Sequence, residues 1–192
     1  MILPMSHSED NPWTTLSSRP IYENPWIAVR EDQVLRPDGQ PGIYGVVHFK
    51  HRAVGVLPVD ERGRIWLVGQ YRYPLGRYSW EIPEGGGRLD ESNEETALRE
   101  LREETGLVAG KLEPLLVSHL SNCVCDEVAY LFRATDLMEG PSAPEGTERL
   151  HVRRVEWDEA WRMLQEGAIT DSLSVMALLH EALRRSLSSP GG

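Results

Sequence analysis

The stretch GGGRLDESNEETALRELREETGL, Gly85 to Leu107, decides how this chain is read. Ser92 and Glu95 stand at the spacing of a capping box, in which a serine hydroxyl and a glutamate carboxylate satisfy each other's backbone N–H groups at a helix start. Ala97, Leu98 and Leu101 then recur at helical spacing, and Gly106 supplies the left-handed residue that stops the helix. On such a helix Glu100, Glu103 and Glu104 fall at i, i+3 and i+4, so their carboxylates leave one face while the apolar residues face largely elsewhere. Three like charges repel, and a cluster of this kind is ordinarily a solvated face with partners such as Arg99 and Arg102. A hard divalent cation reverses the cost, because oxygen ligands at this spacing can share Mg²⁺ ions that also hold substrate phosphates.

The cluster belongs to a longer pattern, Gly85-x5-Glu91-x7-Arg99-Glu100-Leu101-x-Glu103-Glu104-x-Gly106-Leu107. At ordinary residue frequencies these positions coincide in fewer than about one chain in 10⁵. The pattern resembles the Nudix box at every specified position. That resemblance implies a Nudix α/β/α sandwich with a mixed central sheet, and a metal-dependent attack of water on a nucleoside diphosphate linked to another moiety. It makes Glu100 and Glu104 the principal metal ligands and Glu103 an assistant, with the backbone carbonyl of Glu84 completing the first site. Two or more Mg²⁺ or Mn²⁺ ions are implied per site. Arg99 and Glu91 can fix the orientation of the neighbouring carboxylates.

Upstream, Gly69-Gln70-Tyr71-Arg72-Tyr73-Pro74 and Trp80-Glu81-Ile82-Pro83-Glu84-Gly85-Gly86 resemble the ADP-ribose and nucleotide-sugar pyrophosphatase branch of that family. In that branch the arginine matching Arg72 contacts substrate phosphate, as a bidentate guanidinium suits a polyanion, and the acid matching Glu81 lies near the site. A proline common in ADP-ribose pyrophosphatases 15 or 16 residues beyond the box is replaced here by Asn122 or Cys123. The reading is therefore a nucleoside diphosphate sugar hydrolase, with ADP-ribose one substrate among ADP-sugars and GDP-mannose. Its products are a nucleoside monophosphate and a sugar phosphate. NADH, coenzyme A or dinucleoside polyphosphates are the alternative substrates, and a silent nucleotide-binding regulatory domain is the alternative class. A further carboxylate beyond the box is expected to orient or deprotonate the water, with Glu127, Glu145 and Glu148 as candidates. Trp26 and Tyr44 are the candidates for stacking on the base.

The rest of the chain fits one soluble domain with a small addition. It has 192 residues, 40% hydrophobic and 26% charged, which excludes disordered, collagenous and coiled-coil classes. No apolar run reaches the 18 or so residues that span a bilayer, and no signal peptide is evident, so a cytoplasmic protein without a membrane partner is expected. The net charge of −10 argues against nucleic acid as a partner. Cys123 and Cys125 have no second pair to complete a zinc site and read as free thiols.

Residues 1–18 read as a flexible segment and 187–192 as a flexible tail. Residues 19–51 form a small antiparallel β unit around the turn Arg36-Pro37-Asp38-Gly39, and 52–186 the Nudix domain. Within the latter, Asp60-Glu61-Arg62-Gly63 is expected to close a second hairpin, followed by strands near 78–82, 112–120, 127–134 and 150–157 and helices over 158–166 and 172–186. The resemblance implies a homodimer formed through the N-terminal β unit.

Overall fold

The computed structural model describes residues 10–88, 90–140 and 150–188. Two compact units emerge, one holding the described residues up to Lys50 together with Ser121–Asp126, the other holding His51–Leu120 and the chain from Glu127 onward.

The first unit is a three-stranded antiparallel sheet in the order β1 (Thr14–Glu23), β2 (Ile27–Leu35), β3 (Pro41–Phe49). The turn at 36–39 closes β2 on β3, with Gly39 N–H donating to Arg36 O at 2.8 Å. β1 begins at Thr14, inside the segment expected to be flexible. Every residue of β1 is exposed, so the strand carries no period-2 hydrophobic signal. Its backbone ladder to β2, from Thr14 opposite Leu35 to Glu23 opposite Ala28, holds it instead. The turn 121–126 pairs with β3: Val47 N–H donates to Val124 O at 2.9 Å, and Tyr44 Oη donates to Cys123 O at 2.7 Å. Cys123 and Cys125 are free thiols within this turn.

The second unit contains a mixed sheet in the order β7 (Glu84–Gly87), β4 (Arg52–Pro58), β9 (Val128–Glu139), β8 (Leu107–His119). A second sheet runs β10 (His151–Val155), β5 (Ile65–Arg72), β6 (Arg77–Glu81). β4 and β9 are parallel and the other pairings antiparallel. The turn at 60–63 forms, with Asp60 accepting from the Arg62 and Arg64 N–H groups at 2.9 Å, but the expected hairpin does not. After one bridge, Val59 to Ile65, the strands separate into the two sheets. Both are buried on both faces, so each reads as a continuous apolar run that does not reveal its neighbour. β8 and β9 also run longer than the sequence suggested.

Side-chain alternation along the mixed sheet builds an apolar layer on each face. Val54, Val56, Phe132 and Ala134 join Ala97 and Leu101 of α1 (Asn93–Thr105) in one cluster. Leu57, Ala129 and Leu131 join Leu173, Ala177 and Leu178 of α3 (Ser172–Ser188) and Ala160 of α2 (Trp157–Gln165) in the other. The expected mixed α/β architecture with a small antiparallel sheet is therefore present.

A buried ion cluster braces α3. Glu181, fully buried, accepts from Arg133 Nε at 3.0 Å, Arg184 Nε at 2.8 Å and Arg185 Nε at 3.0 Å. Burial pushes this carboxyl up, but the arginines outweigh it and hold it below the ordinary glutamate value of 4.5. Its stabilisation is complete above that value and is lost as the pH falls through the lower folded-state pKa. Glu181→Gln leaves the buried Arg133 with only the more distant Glu113 carboxylate, 3.7 Å from Nη1, and is expected to cost about 3 kcal/mol in urea unfolding at pH 7. The gap between the parent and this variant should narrow as the pH falls below 4.5.

Candidate active site

Local sequence sets the position of α1. Its capping box is complete, with Glu95 N–H donating to Ser92 Oγ at 3.1 Å and Ser92 N–H to Glu95 Oε2 at 2.8 Å. Gly106, at φ 73°, ends it in the left-handed region. Ala97 and Leu101 are fully buried, fixing the rotation of the helix, whereas Leu98, expected to share that role, is 41% exposed. Arg52 Nη2 donates to the carbonyls of Arg88 and Glu91 and so holds the turn between β7 and α1.

The opposite face of α1 turns its carboxylates toward β7. Glu104, 6% exposed, accepts the Glu84 N–H at Oε2, 3.0 Å away. Glu100 lies directly over Gly85, where an added Cβ would sit 2.2 Å from its carboxyl carbon. Glycine is required there by the space the carboxylate fills. Arg99 ties the group together: Nε and Nη2 reach Glu91 at 3.1 and 3.2 Å, and Nη1 reaches Glu100 at 2.7 Å and Glu103 at 2.9 Å. The Arg99 guanidinium, with help from Thr96 Oγ1 at 2.9 Å, holds the Glu91 carboxyl below its ordinary range against the opposing effect of burial.

A second cluster lies at the ends of β5 and β6. Arg72 Nε reaches both oxygens of Glu81 at 3.0 Å, and its Nη2 reaches Glu81 Oε2 at 2.5 Å and Glu84 Oε1 at 2.8 Å. Glu81 is 2% exposed. Asp171, immediately before α3, brings a carboxylate oxygen to this place, so that ligand atoms of Glu81, Glu84 and Asp171 lie within 4.8 Å of one another. Burial first, then the charges of Asp171 and Glu81, pushes the Glu84 carboxyl well above its ordinary value, with Arg72 opposing. Glu84 Oε2 is buried and no donor reaches it.

These positions fit a hard divalent cation. The carboxylates supply oxygen ligands, they outnumber the arginines among them, and a buried carboxylate oxygen stands without a hydrogen-bond partner. The site thus brings together Glu84, Glu91, Arg99, Glu100, Glu103 and Glu104, and beside Glu84 it places Arg72 and Glu81. Glu127 is half-buried just before β9. Trp26, 66% exposed in the turn between β1 and β2, and Tyr44 of β3, edge-on to Trp13 with centroids 5.3 Å apart, belong to the N-terminal unit. Glu145 and Glu148 lie outside the described residues. Sequence reasoning missed the Glu84 side chain, having used only its carbonyl, and missed Asp171, whose visible signal was that of a helix cap.

A family model described as the NUDIX domain matches residues 49–178, and one described as the nucleoside diphosphate sugar hydrolase N-terminal domain matches 13–47. The chain belongs to the Nudix hydrolase family, whose members generally use divalent metals. It is 32% identical to an ADP-ribose pyrophosphatase of Bacillus subtilis, the alignment covering 91% of this chain and 95% of that protein. It is 34% identical to an ADP-ribose pyrophosphatase of Mycobacterium tuberculosis, covering 88% and 83% respectively. Its fold matches a crystal structure of an ADP compounds hydrolase with a TM-score of 0.78 at 21% identity, over 91% of this chain and 95% of that one. Among the described residues no helix is long and apolar enough to cross a membrane.

The clash at Gly85 is with the mobile end of a glutamate, so Gly85→Ala should displace the Glu100 carboxylate rather than unfold the chain. A crystal structure of the variant should show Glu100 turned from β7, with an unfolding free energy within about 1 kcal/mol of the parent.

Proposed function

We propose that this chain is a divalent-metal-dependent hydrolase of nucleoside diphosphate sugars of the ADP-ribose, ADP-sugar or GDP-mannose type. The observation that carries the reading is the seating of Glu100 and Glu104 against the backbone of residues 84 and 85, with Arg99 bracing Glu100. The N-terminal match to nucleoside diphosphate sugar hydrolases supports the substrate class.

In this reading Glu100, Glu104 and the Glu84 carbonyl hold Mg²⁺ or Mn²⁺, two or more ions per site, and Glu103 assists. When bound, the ions neutralise the pyrophosphate and lower the pKa of the attacking water. Arg99 and Glu91 keep the ligand carboxylates in place. Arg72, with Nε and Nη2 taken by Glu81 and Glu84, turns Nη1 to a substrate phosphate. Water oxygen adds to one phosphorus, the bond from that phosphorus to the bridging oxygen breaks, and the bridging oxygen leaves with the other phosphate. One water proton passes to a carboxylate, for which Glu127, Glu145 and Glu148 are the candidates. Trp26 and Tyr44 are the aromatic surfaces proposed for the base. The exposed strand β1, with Leu16, Ile21 and Tyr22 open to solvent, supports a homodimer through the N-terminal sheet.

With Mg²⁺ the chain should release a nucleoside monophosphate and a sugar phosphate from at least one of ADP-ribose, ADP-glucose and GDP-mannose, and nothing in EDTA. Glu104→Gln should lower kcat on the order of 10³-fold. Metal-dependent binding of these compounds without turnover would replace this reading with a regulatory nucleotide-binding one. In light scattering at micromolar concentration the mass should be twice 21.7 kDa, and a monomer would refute the dimer.

A further inference from the structure

Asp171 lies outside the Gly85–Leu107 box and the upstream motifs around Arg72 and Glu81, yet its carboxylate stands beside those of Glu81 and Glu84. Its Oδ2 accepts the Ser174 N–H at 2.8 Å, the bond of a helix N-cap. Serine, asparagine and aspartate cap helices about equally well, so capping alone does not require a charge here. The location makes the charge costly, because Glu81 and Glu84 already stand within 4.8 Å and like charges at that distance repel. One guanidinium, that of Arg72, faces both of them.

The start of α3 is also fastened to the segment that carries those acids. Ser174, fully buried, accepts the Ile82 N–H at Oγ, 2.8 Å away. Asp171 is therefore presented from a helix start pinned between Glu81 and Glu84 in sequence, and its place relative to them is fixed by two bonds of the same turn.

We propose that Asp171 is a positioning residue for Arg72: presented from the N-cap of α3, it closes the carboxylate cage of Glu81 and Glu84 that holds Nε and Nη2 and leaves Nη1 for substrate phosphate. The inference rests on Arg72 being the phosphate ligand. Glu81 grips Nε and Nη2 from β6, and Glu84 takes Nη2 with only one oxygen. The other oxygen of Glu84 has no donor, and Asp171, by occupying the flank of that carboxyl, closes the space into which it would turn away from Arg72. Asp171 does not touch substrate.

Two substitutions separate this role from capping. Asp171→Ser keeps the cap oxygen but is too short to reach Glu84, whereas Asp171→Asn keeps both cap and reach and its amide N–H can donate to Glu84 Oε2. Asp171→Ser should unfold in urea at the parent midpoint while KM for the nucleoside diphosphate sugar rises about tenfold and kcat changes less than about threefold. Asp171→Asn should bring KM back to within about threefold of the parent. A readout free of turnover is the ¹⁵N signal of the Arg72 Nε–H, identified by its disappearance in Arg72→Lys. It should be sharp in the parent and in Asp171→Asn and broadened in Asp171→Ser. Equal KM and an equally sharp Arg72 signal in all three proteins would overturn the proposal and leave Asp171 a helix cap. Loss in both variants with a lowered urea midpoint would overturn it too, since a damaged cap gives that pattern. If the parent cleaves no nucleoside diphosphate sugar, the activity reading fails, while the Arg72 signal still decides whether Asp171 holds that side chain.

Discussion

The hydrogen bond from Glu84 N–H to Glu104 Oε2 is the constraint on which the site depends, because it ties the strand entering the glycine run to the helix leaving it. A carboxylate at i+4 from Glu100 reaches the backbone of residue 84 only if the helix has one rotation and one start. The burial of Ala97 and Leu101 fixes the rotation and the Ser92 capping box fixes the start. With both set, the side chain of Glu100 falls on Gly85, where only glycine leaves it room. The geometry of the acids is thus a consequence of ordinary packing and capping, acting on a helix whose other face happens to be acidic.

Charge is distributed differently in the site and in the core. Around Arg99 three glutamates share one guanidinium, and around Arg72 two glutamates share one, with Asp171 beside them. Around Glu181 the ratio is inverted, with three arginines on one carboxylate. The acid-rich places leave negative charge for a cation to neutralise, while the base-rich one saturates its acid and serves only to brace α3. The carboxyl directions follow the nearest partner and the burial of each group rather than this division. Glu181 and Glu91 are depressed by arginine, and Glu84, crowded by acids and buried, is raised.

What could be read from sequence was whatever repeats at a local period or obeys a cap. The helix at 93–105, its acidic face and its ends follow from Ser92, Glu95, Leu101 and Gly106 alone. Arg72 and Glu81 were legible through the motifs that contain them. Besides the Glu84 side chain, three features were not. β1 escaped because a strand whose residues are all exposed has no burial pattern to announce it. The separation of β4 from β5 escaped because a real turn and two apolar runs look the same whether or not the runs pair. Asp171 escaped because its meeting with Glu84 is long-range, and the local sequence Thr170-Asp171-Ser172 explains itself fully as a helix start.

The turn at 121–126 has a consequence for how this protein can be divided. Its residues sit in the chain between β8 and β9, yet Val47 and Tyr44 of the N-terminal sheet bond to its backbone, and Phe49 N–H donates to Asp126 Oδ1 at 2.9 Å. The N-terminal unit is therefore not a contiguous cassette. Cutting the chain near residue 50, where the two family matches meet, would strip the turn of the sheet that shapes it and leave β9 to start from an unsupported loop. Grafting residues 13–47 onto another domain would likewise carry away a sheet with its β3 contacts unmet. The turn at 121–126 therefore belongs with the N-terminal sheet, although the chain reaches it only by way of β8.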